Sequence, residues 1–342
     1  MFKKFRTILI GGENAKRAAF KIAEFDYLAK IPFSVSSFVN ANANEKFSLV
    51  NYGFQWHDLP VFKNIDEAIK FDEIVDSVVI CVNAKYILEW VKKVLIYKSI
   101  KNITILAEDV PEKDAMEIVF LAESNGVNII GPSSTGMIVA GKGRLGEIGG
   151  DWKNLNLCHL DKPGSVGLIT KSGGMSGEFM WVISQNSPGI SAAIQIGGDA
   201  FPATDFTYWL EKFSHNSDTK IVVMAGEAGG DLEERAAEWY EKYVAGSQFT
   251  VHSRTKSLQT TANCEHDSIV NLPFKLIAVI SGKFLEQMPK GQKFGHAGAK
   301  QEESGFGSAK NKIEILKNSG IEVVEFEQLS SRLKEISETV SG

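Results

Sequence analysis

The run Ser165-Val166-Gly167-Leu168-Ile169-Thr170-Lys171-Ser172-Gly173-Gly174-Met175-Ser176 decides the fold. Its first half is short and apolar, which predicts a buried strand over 165–169. Its second half is built of small residues, a turn that passes into a helix. A buried strand feeding a helix through a glycine turn is the repeating unit of a parallel sheet covered on both faces. The unit recurs on either side of this run. Upstream, strands are predicted at 7–10, 77–82, 102–106 and 127–130, with helices at about 15–25, 87–95 and 115–123. Downstream, strands are predicted at 192–196, 220–225, 276–280 and 321–324, with helices at 231–243 and 309–318. The class is α/β, with mostly parallel sheets.

The rhythm breaks once. A glycine-rich stretch runs from Gly131 to Gly150, and Asp161-Lys162-Pro163-Gly164 is a turn signal. We expect one domain over 1–145 and a second over 146–342. Within the second, 247–271 is polar and lacks periodicity, so it is expected to be a surface insertion.

Composition narrows the function. The 342 residues are 44% hydrophobic and 23% charged, which suits two domains with sizeable cores. A net charge of −5 with interspersed signs and no basic stripe argues against a nucleic-acid partner. No apolar run is long enough to span a bilayer, and the N-terminus lacks the pattern of a secretory signal. Three scattered cysteines make no disulfide framework. A cytoplasmic protein with no membrane contact is expected.

Ligands of open parallel sheets gather at the carboxyl ends of strands. At such ends stand Ser172-Gly173-Gly174, Gly197-Gly198-Asp199 and Gly226-Glu227-Ala228-Gly229-Gly230. The first lets backbone N–H groups at a helix start approach an anion, or serves only as a turn. Glu227 is placed to hydrogen-bond a catalytic group, to cap a helix or to meet solvent. Gly295-His296-Ala297-Gly298-Ala299 sets an imidazole among residues too small to shield it. That suits a mobile nucleophile, or a loop histidine without a role. Gly11-Gly12 opens the chain like a nucleotide-binding turn but lacks the full glycine pattern. Asp205 is read as capping or bordering a helix. Cys264-Glu265-His266 with His252 matches no familiar zinc spacing, and no metal site is expected.

In this order the motifs resemble one family. Pro163-Gly164-Ser165-Val166 into Ser172-Gly173-Gly174-Met175-Ser176, then Ile196-Gly197-Gly198-Asp199, Gly226 to Gly230 and Lys293 to Ala299 are similar to the succinyl-CoA synthetase alpha subunit and the matching part of ATP-citrate lyase. Ala107-Glu108-Asp109-Val110-Pro111 and Ile130-Gly131-Pro132 fit as well. Ser172 to Ser176, Phe25-Asp26-Tyr27 and Pro60 to Asn64 look most like the citrate branch. The chain ends at Gly342 without a citrate-synthase-like module, so the small subunit of citryl-CoA synthetase is the resemblance expected to hold. A succinyl-CoA synthetase alpha subunit and a non-catalytic CoA-binding regulatory protein are the alternatives. A nicotinamide-dependent oxidoreductase rests only on the opening turn.

The resemblance implies a Rossmann-like CoA-binding domain followed by a flavodoxin-like domain. It implies that His296 carries a phosphoryl group, with Glu227 accepting a hydrogen bond from its other ring nitrogen. Ser172, Gly173 and Gly174 would receive the phosphate or a substrate carboxylate. CoA, a substrate, would lie against Gly11, Gly12, Val82, Asn83, Ala84, Ala107 and Glu108. ATP and Mg would sit on an ATP-grasp beta-type large subunit, in a hetero-oligomer. The chain departs from the succinate enzyme's glycine-rich first loop, and Ala228 stands where isoleucine is usual.

Overall fold

The computed structural model describes residues 4–249, 272–283 and 307–340. In the first half, β1 (Thr7–Gly11) leads into α1 (Glu13–Leu28). Then come β2 (Val35–Val39), β3 (Phe47–Tyr52), β4 (Gln55–Phe62), α2 (Ile65–Phe71) and β5 (Ser77–Cys81). A short 3-10 turn precedes α3 (Ile87–Leu95), and β6 (Asn102–Ile105), α4 (Glu112–Asn125) and β7 (Asn128–Ile130) complete this half. The second half holds β8 (Gly136–Val139), β9 (Gly143–Gly146), α5 (Trp152–Leu157), β10 (Val166–Thr170) and α6 (Ser176–Asn186). It continues with β11 (Ile190–Gln195), α7 (Phe206–Ser214), β12 (Ile221–Glu227) and α8 (Leu232–Phe249). After β13 (Lys275–Ser281) come α9 (Ala309–Asn318), β14 (Glu322–Val323) and α10 (Phe326–Val340).

Each half forms one seven-stranded sheet, ordered β3-β4-β2-β1-β5-β6-β7 and β14-β13-β12-β10-β11-β8-β9. All pairings in the first are parallel except the β3–β4 hairpin. In the second, only the β8–β9 and β8–β11 pairings are antiparallel. The fold is α/β with two mostly parallel sheets. Strands β5, β10 and β12 are buried along their whole length, as apolar runs covered on both faces must be.

Each sheet has a switch point, where the chain passes from one side of its first central strand to the other. In the first sheet it lies between β1 and β5, in the second between β10 and β12. In open α/β sheets such a point is where a crevice opens, outside the carboxyl ends of those strands.

The strand pairing differs from the expected division at 145/146. Strands β8 and β9 belong to the second sheet, which therefore begins at Gly136. The glycines that suggested a boundary are a packing requirement. A Cβ on Gly136 would stand 1.8 Å from the Leu145 carbonyl oxygen, and Gly136 has φ +103°. Helix α8 continues to Phe249, past the expected start of the insertion at 247, and residues 250–271 of that insertion lie outside the described residues.

The halves are sewn together by polar groups. Arg144 on β9 is fully buried beneath α1 and donates to the carbonyls of Lys21 (3.0 Å) and Gly150 (3.2 Å). Burial pulls its pKa down to about 10. Thr204 donates to the Ile129 carbonyl at 2.8 Å, and the Ser133 N–H to that of Ala107 at 2.7 Å.

Candidate active site

At the second switch point the chain leaves β10 at Thr170 and turns through Lys171 to Met175 into α6. Ser172 Oγ accepts the Met175 N–H at 3.3 Å, and Ser176 Oγ donates to the Gly173 carbonyl at 2.6 Å. The turn is thus closed by its own hydroxyls, and its glycines fit two surroundings. A Cβ on Gly173 would meet Thr135 Cγ2 at 3.0 Å, whereas one on Gly174 would meet nothing within 4 Å. Gln195, at the end of β11, fixes the start of the turn. Its amide donates to the Lys171 carbonyl at 2.5 Å and its oxygen accepts the Thr135 N–H at 2.5 Å.

Across the crevice, Glu227 ends β12 and is buried. Its carboxylate lies 3.5 Å from the ammonium of Lys171, which is 2% exposed. The Glu227 N–H donates to Glu233 at 3.0 Å. Glu233 also accepts from Lys312 on α9, at 2.6 Å. Lys312 donates further to Glu234 at 2.7 Å and to the Gly230 carbonyl at 2.9 Å. The Glu227 loop is therefore held from below by a chain of buried charges. Burial raises the Glu233 pKa, but Lys171 and Lys312 outweigh it and hold the carboxyl below its usual range. Burial likewise lowers the Lys312 pKa, and its two carboxylates raise it more.

A cavity of about 230 Å³ opens above these strand ends, lined by Ser172, Met175, Gly226, Ser281 and Lys283 among others. Lys283 stands on its rim, and beside the Glu227 loop the Gly307 carbonyl accepts the Gly229 N–H at 2.8 Å. His296 lies outside the described residues, as do His252, Cys264 and His266. The structure brings Ser172 and the Glu227 loop to one crevice. It places Gly11, Gly12, Val82, Asn83, Ala84, Ala107 and Glu108 on the first sheet.

There, Gly11 and Gly12 follow β1, Val82-Asn83-Ala84 follow β5, and Ala107 and Glu108 follow β6, so all stand at the carboxyl ends of adjacent strands. Gly11 has φ +139°, and a Cβ there would lie 2.6 Å from the Cys81 carbonyl oxygen. Only glycine lets β1 turn this close to β5. Asn83 caps the 3-10 turn by accepting the Lys85 N–H at 3.3 Å. Lys16 is paired with Glu13 and Glu45, and Arg17 with Glu147.

Asp205 caps α7 through the Tyr208 N–H at 2.9 Å and pairs with Arg235 at 2.8 Å. Asp199 is buried against the 108–110 loop, and burial raises its pKa. Cys158 is buried, which pushes its thiol up to about 11. Among the described residues no group of three or more His, Cys, Asp or Glu is placed to hold a metal ion. Nor is any described helix long and apolar enough to cross a membrane.

Sequence reasoning gave Lys171, Gln195, Glu233 and Lys312 no role. For Lys312 a signal existed. Ala309, Lys312 and Leu316 share one helical stripe, and all three are buried. A lysine on an apolar stripe needs an anion beneath it.

The molecule thus holds two mostly parallel sheets, each with a glycine turn at its switch point, and at the second a buried carboxylate faces that turn. The CoA-ligase family model matches residues 169–282. ATP-citrate synthase subunit 1 of Sordaria macrospora is 34% identical over 223 residues, which cover 65% of this chain and 33% of that protein. ATP-citrate synthase beta chain protein 2 of Arabidopsis thaliana is 30% identical over 321 residues, covering 93% of this chain and 48% of that one. The solved structure of ATP citrate lyase from Methanothrix soehngenii, in complex with citrate and coenzyme A, shares the fold. It gives a TM-score of 0.85 over 99% of this chain and 50% of that chain, at 24% identity. The chain spans half or less of the length of these relatives. It belongs to the succinyl-CoA synthetase alpha / ATP-citrate lyase family.

Proposed function

We propose that this chain is one subunit of an ATP-dependent acid–thiol ligase that joins citrate to CoA as citryl-CoA. One observation carries the reading. A buried carboxylate, Glu227, stands at the second switch point across from a glycine turn that opens a helix. That pairing suits a phosphoryl carrier, because the helix start favours the anion and the carboxylate orients the carrier's N–H.

In this mechanism a large ATP-grasp subunit binds ATP with Mg, and His296 attacks the γ-phosphorus as ADP leaves. Glu227 accepts the N–H of the other ring nitrogen and so fixes the attacking tautomer. The phosphoryl group rests at Ser172, Gly173 and Gly174. A citrate carboxylate oxygen then attacks phosphorus, forming an acyl phosphate and releasing the imidazole. The CoA thiolate attacks the acyl carbon and phosphate departs, with the thiol proton passing to solvent. CoA lies along Gly11, Gly12, Val82, Asn83, Ala84, Ala107 and Glu108, at the first switch point. The citrate and CoA bound to the Methanothrix relative support this choice of acid and thiol.

The test supplies the chain and its large subunit with ATP, magnesium, CoA and either citrate or succinate, and identifies the thioester by mass. Citryl-CoA is expected. Succinyl-CoA alone would assign the chain to the succinate branch. His296→Asn should abolish labelling by γ-labelled ATP, and undiminished label in that variant removes the nucleophile assignment.

A further inference from the structure

Lys171 is the one lysine of the β10–α6 turn, and it is almost fully buried at the mouth of the crevice. A buried ammonium is expensive unless an anion meets it. The Glu227 carboxylate, 3.5 Å away, is that anion. The backbone around both groups is fixed. The Lys171 N–H donates to the Ala225 carbonyl at 3.1 Å, and its own carbonyl takes the Gln195 amide. Glu227 is pinned from behind by Glu233, through its N–H. The two side chains therefore meet from rigid strand ends, across the gap between β10 and β12.

We infer that Lys171 is a positioning residue, whose ammonium holds the Glu227 carboxylate ionised and aimed so that it accepts an imidazole N–H. This rests on the proposed phosphohistidine function and deepens it. Lys171 does no chemistry itself. It acts through Glu227, and its effect is electrostatic in a site where solvent screening is weak.

Among the described residues, the charged groups near the Glu227 end of the crevice, element by element, make the sign of the effect clear. Lys171 comes from the β10–α6 turn, Glu233 and Glu234 from α8, Lys312 from α9, and Lys283 from the loop after β13. Lys312 is taken up by Glu233 and Glu234, and Lys283 pairs with Glu325. Among the described residues Lys171 is thus the cation nearest Glu227, and its charge reaches Glu233 as well. Removing it makes the carboxylate harder to ionise, which raises the pH at which Glu227 loses its proton. The ionised form is the one that works. The acidic limb of phosphorylation must then move to higher pH.

The experiment measures labelling by γ-labelled ATP, with magnesium and the large subunit, from pH 5 to pH 9. The variants are Lys171→Met, Lys171→Arg, Glu227→Gln and the double Lys171→Met/Glu227→Gln. For Lys171→Met we expect the acidic midpoint to rise by about one pH unit or more, equivalent to about tenfold less labelling on that limb. Lys171→Arg should bring the midpoint back toward that of the unaltered chain. A lower melting temperature with an unmoved midpoint would overturn the inference and make Lys171 structural. The double variant removes both charges together and guards against misfolding of the single one. Adding Lys171→Met to Glu227→Gln should change labelling by less than about twofold, because the lysine's charge also reaches Glu233 but bears on labelling through Glu227. A further tenfold loss there would also overturn it. If the unaltered pair takes up no label on His296, the phosphohistidine reading fails and takes this inference with it.

Discussion

The two switch points are built alike and armed differently. Each sets a glycine turn between a central parallel strand and a helix, with a second strand end across a crevice. At the first, the charges nearest the turn are on the surface. Lys16 pairs with Glu13 and Glu45, and Arg17, which is 62% exposed, pairs with Glu147. What is fixed there is shape, in the approach of Gly11 to Cys81. At the second, five buried charges run from Lys171 through Glu227, Glu233 and Lys312 to Glu234. A crevice shaped by backbone suits a large ligand that must come and go. A crevice lined by buried charge suits a step in which charge moves, because weak screening makes each charge count for more.

The contrast can be broken by substitution, and the largest effect should come from Glu227. Glu227→Gln keeps the size and loses the charge, so phosphorylation by ATP should slow by about 10²–10⁴-fold. Far-ultraviolet circular dichroism should be unchanged. Loss of the fold instead would make Glu227 a structural acid. Next comes Lys312→Met. It strands Glu233 and Glu234 without their cation in a buried site, which costs about 3–5 kcal/mol. Urea unfolding measures this as a lower midpoint at an unchanged slope. A loss under about 1 kcal/mol would mean that the cluster is not closed to water, and the contrast between the two crevices would weaken.

The strands at both switch points were legible because a strand covered on both faces is an unbroken apolar run. Ile8 to Ile10 and Val166 to Ile169 announce themselves. Strand β2 was not legible, since Ser36 and Ser37 interrupt Val35-Ser36-Ser37-Phe38-Val39. Both serines are buried, and Ser36 donates to Asp72 at 2.7 Å, a partner 36 positions away. The hairpin β8–β9 was hidden by glycines that serve a close antiparallel approach and read as a domain boundary. In the site, Glu227 and the Ser172 turn could be singled out because both stand at carboxyl ends of predicted strands, where ligands of such sheets gather, although each also had a plain structural reading. Lys171 and Lys312 did not stand out, because a lysine's burial depends on which distant acid folds over it. Glu233 meets Lys312 across 79 positions.

Smaller effects should come from the first crevice. Gly11→Ala forces a Cβ to within 2.6 Å of the Cys81 carbonyl oxygen at φ +139°. The cost should be about 1–3 kcal/mol of stability, from backbone strain. The apparent affinity for CoA should fall as well, while phosphorylation by ATP is spared. Equal loss of both would tie the two crevices together more tightly than their separate sheets imply.

Smallest of all should be Arg17→Ala. The Arg17–Glu147 pair, at 2.9 Å, reaches from α1 to the loop after β9 and so links the two halves. Its arginine is largely in solvent, where water and salt screen the attraction and ordering a long side chain costs entropy. Hydrogen bonding to Glu147 raises the arginine's pKa further, but a guanidinium is charged at every working pH, so no pH dependence follows. Removing it should shift stability by under about 1 kcal/mol, and by less at high salt. A double cycle with Glu147→Ala isolates the pair itself. A coupling of several kcal/mol would place this pair with the buried charges of the second crevice, and the distinction between a crevice held by shape and one held by charge would have to be redrawn.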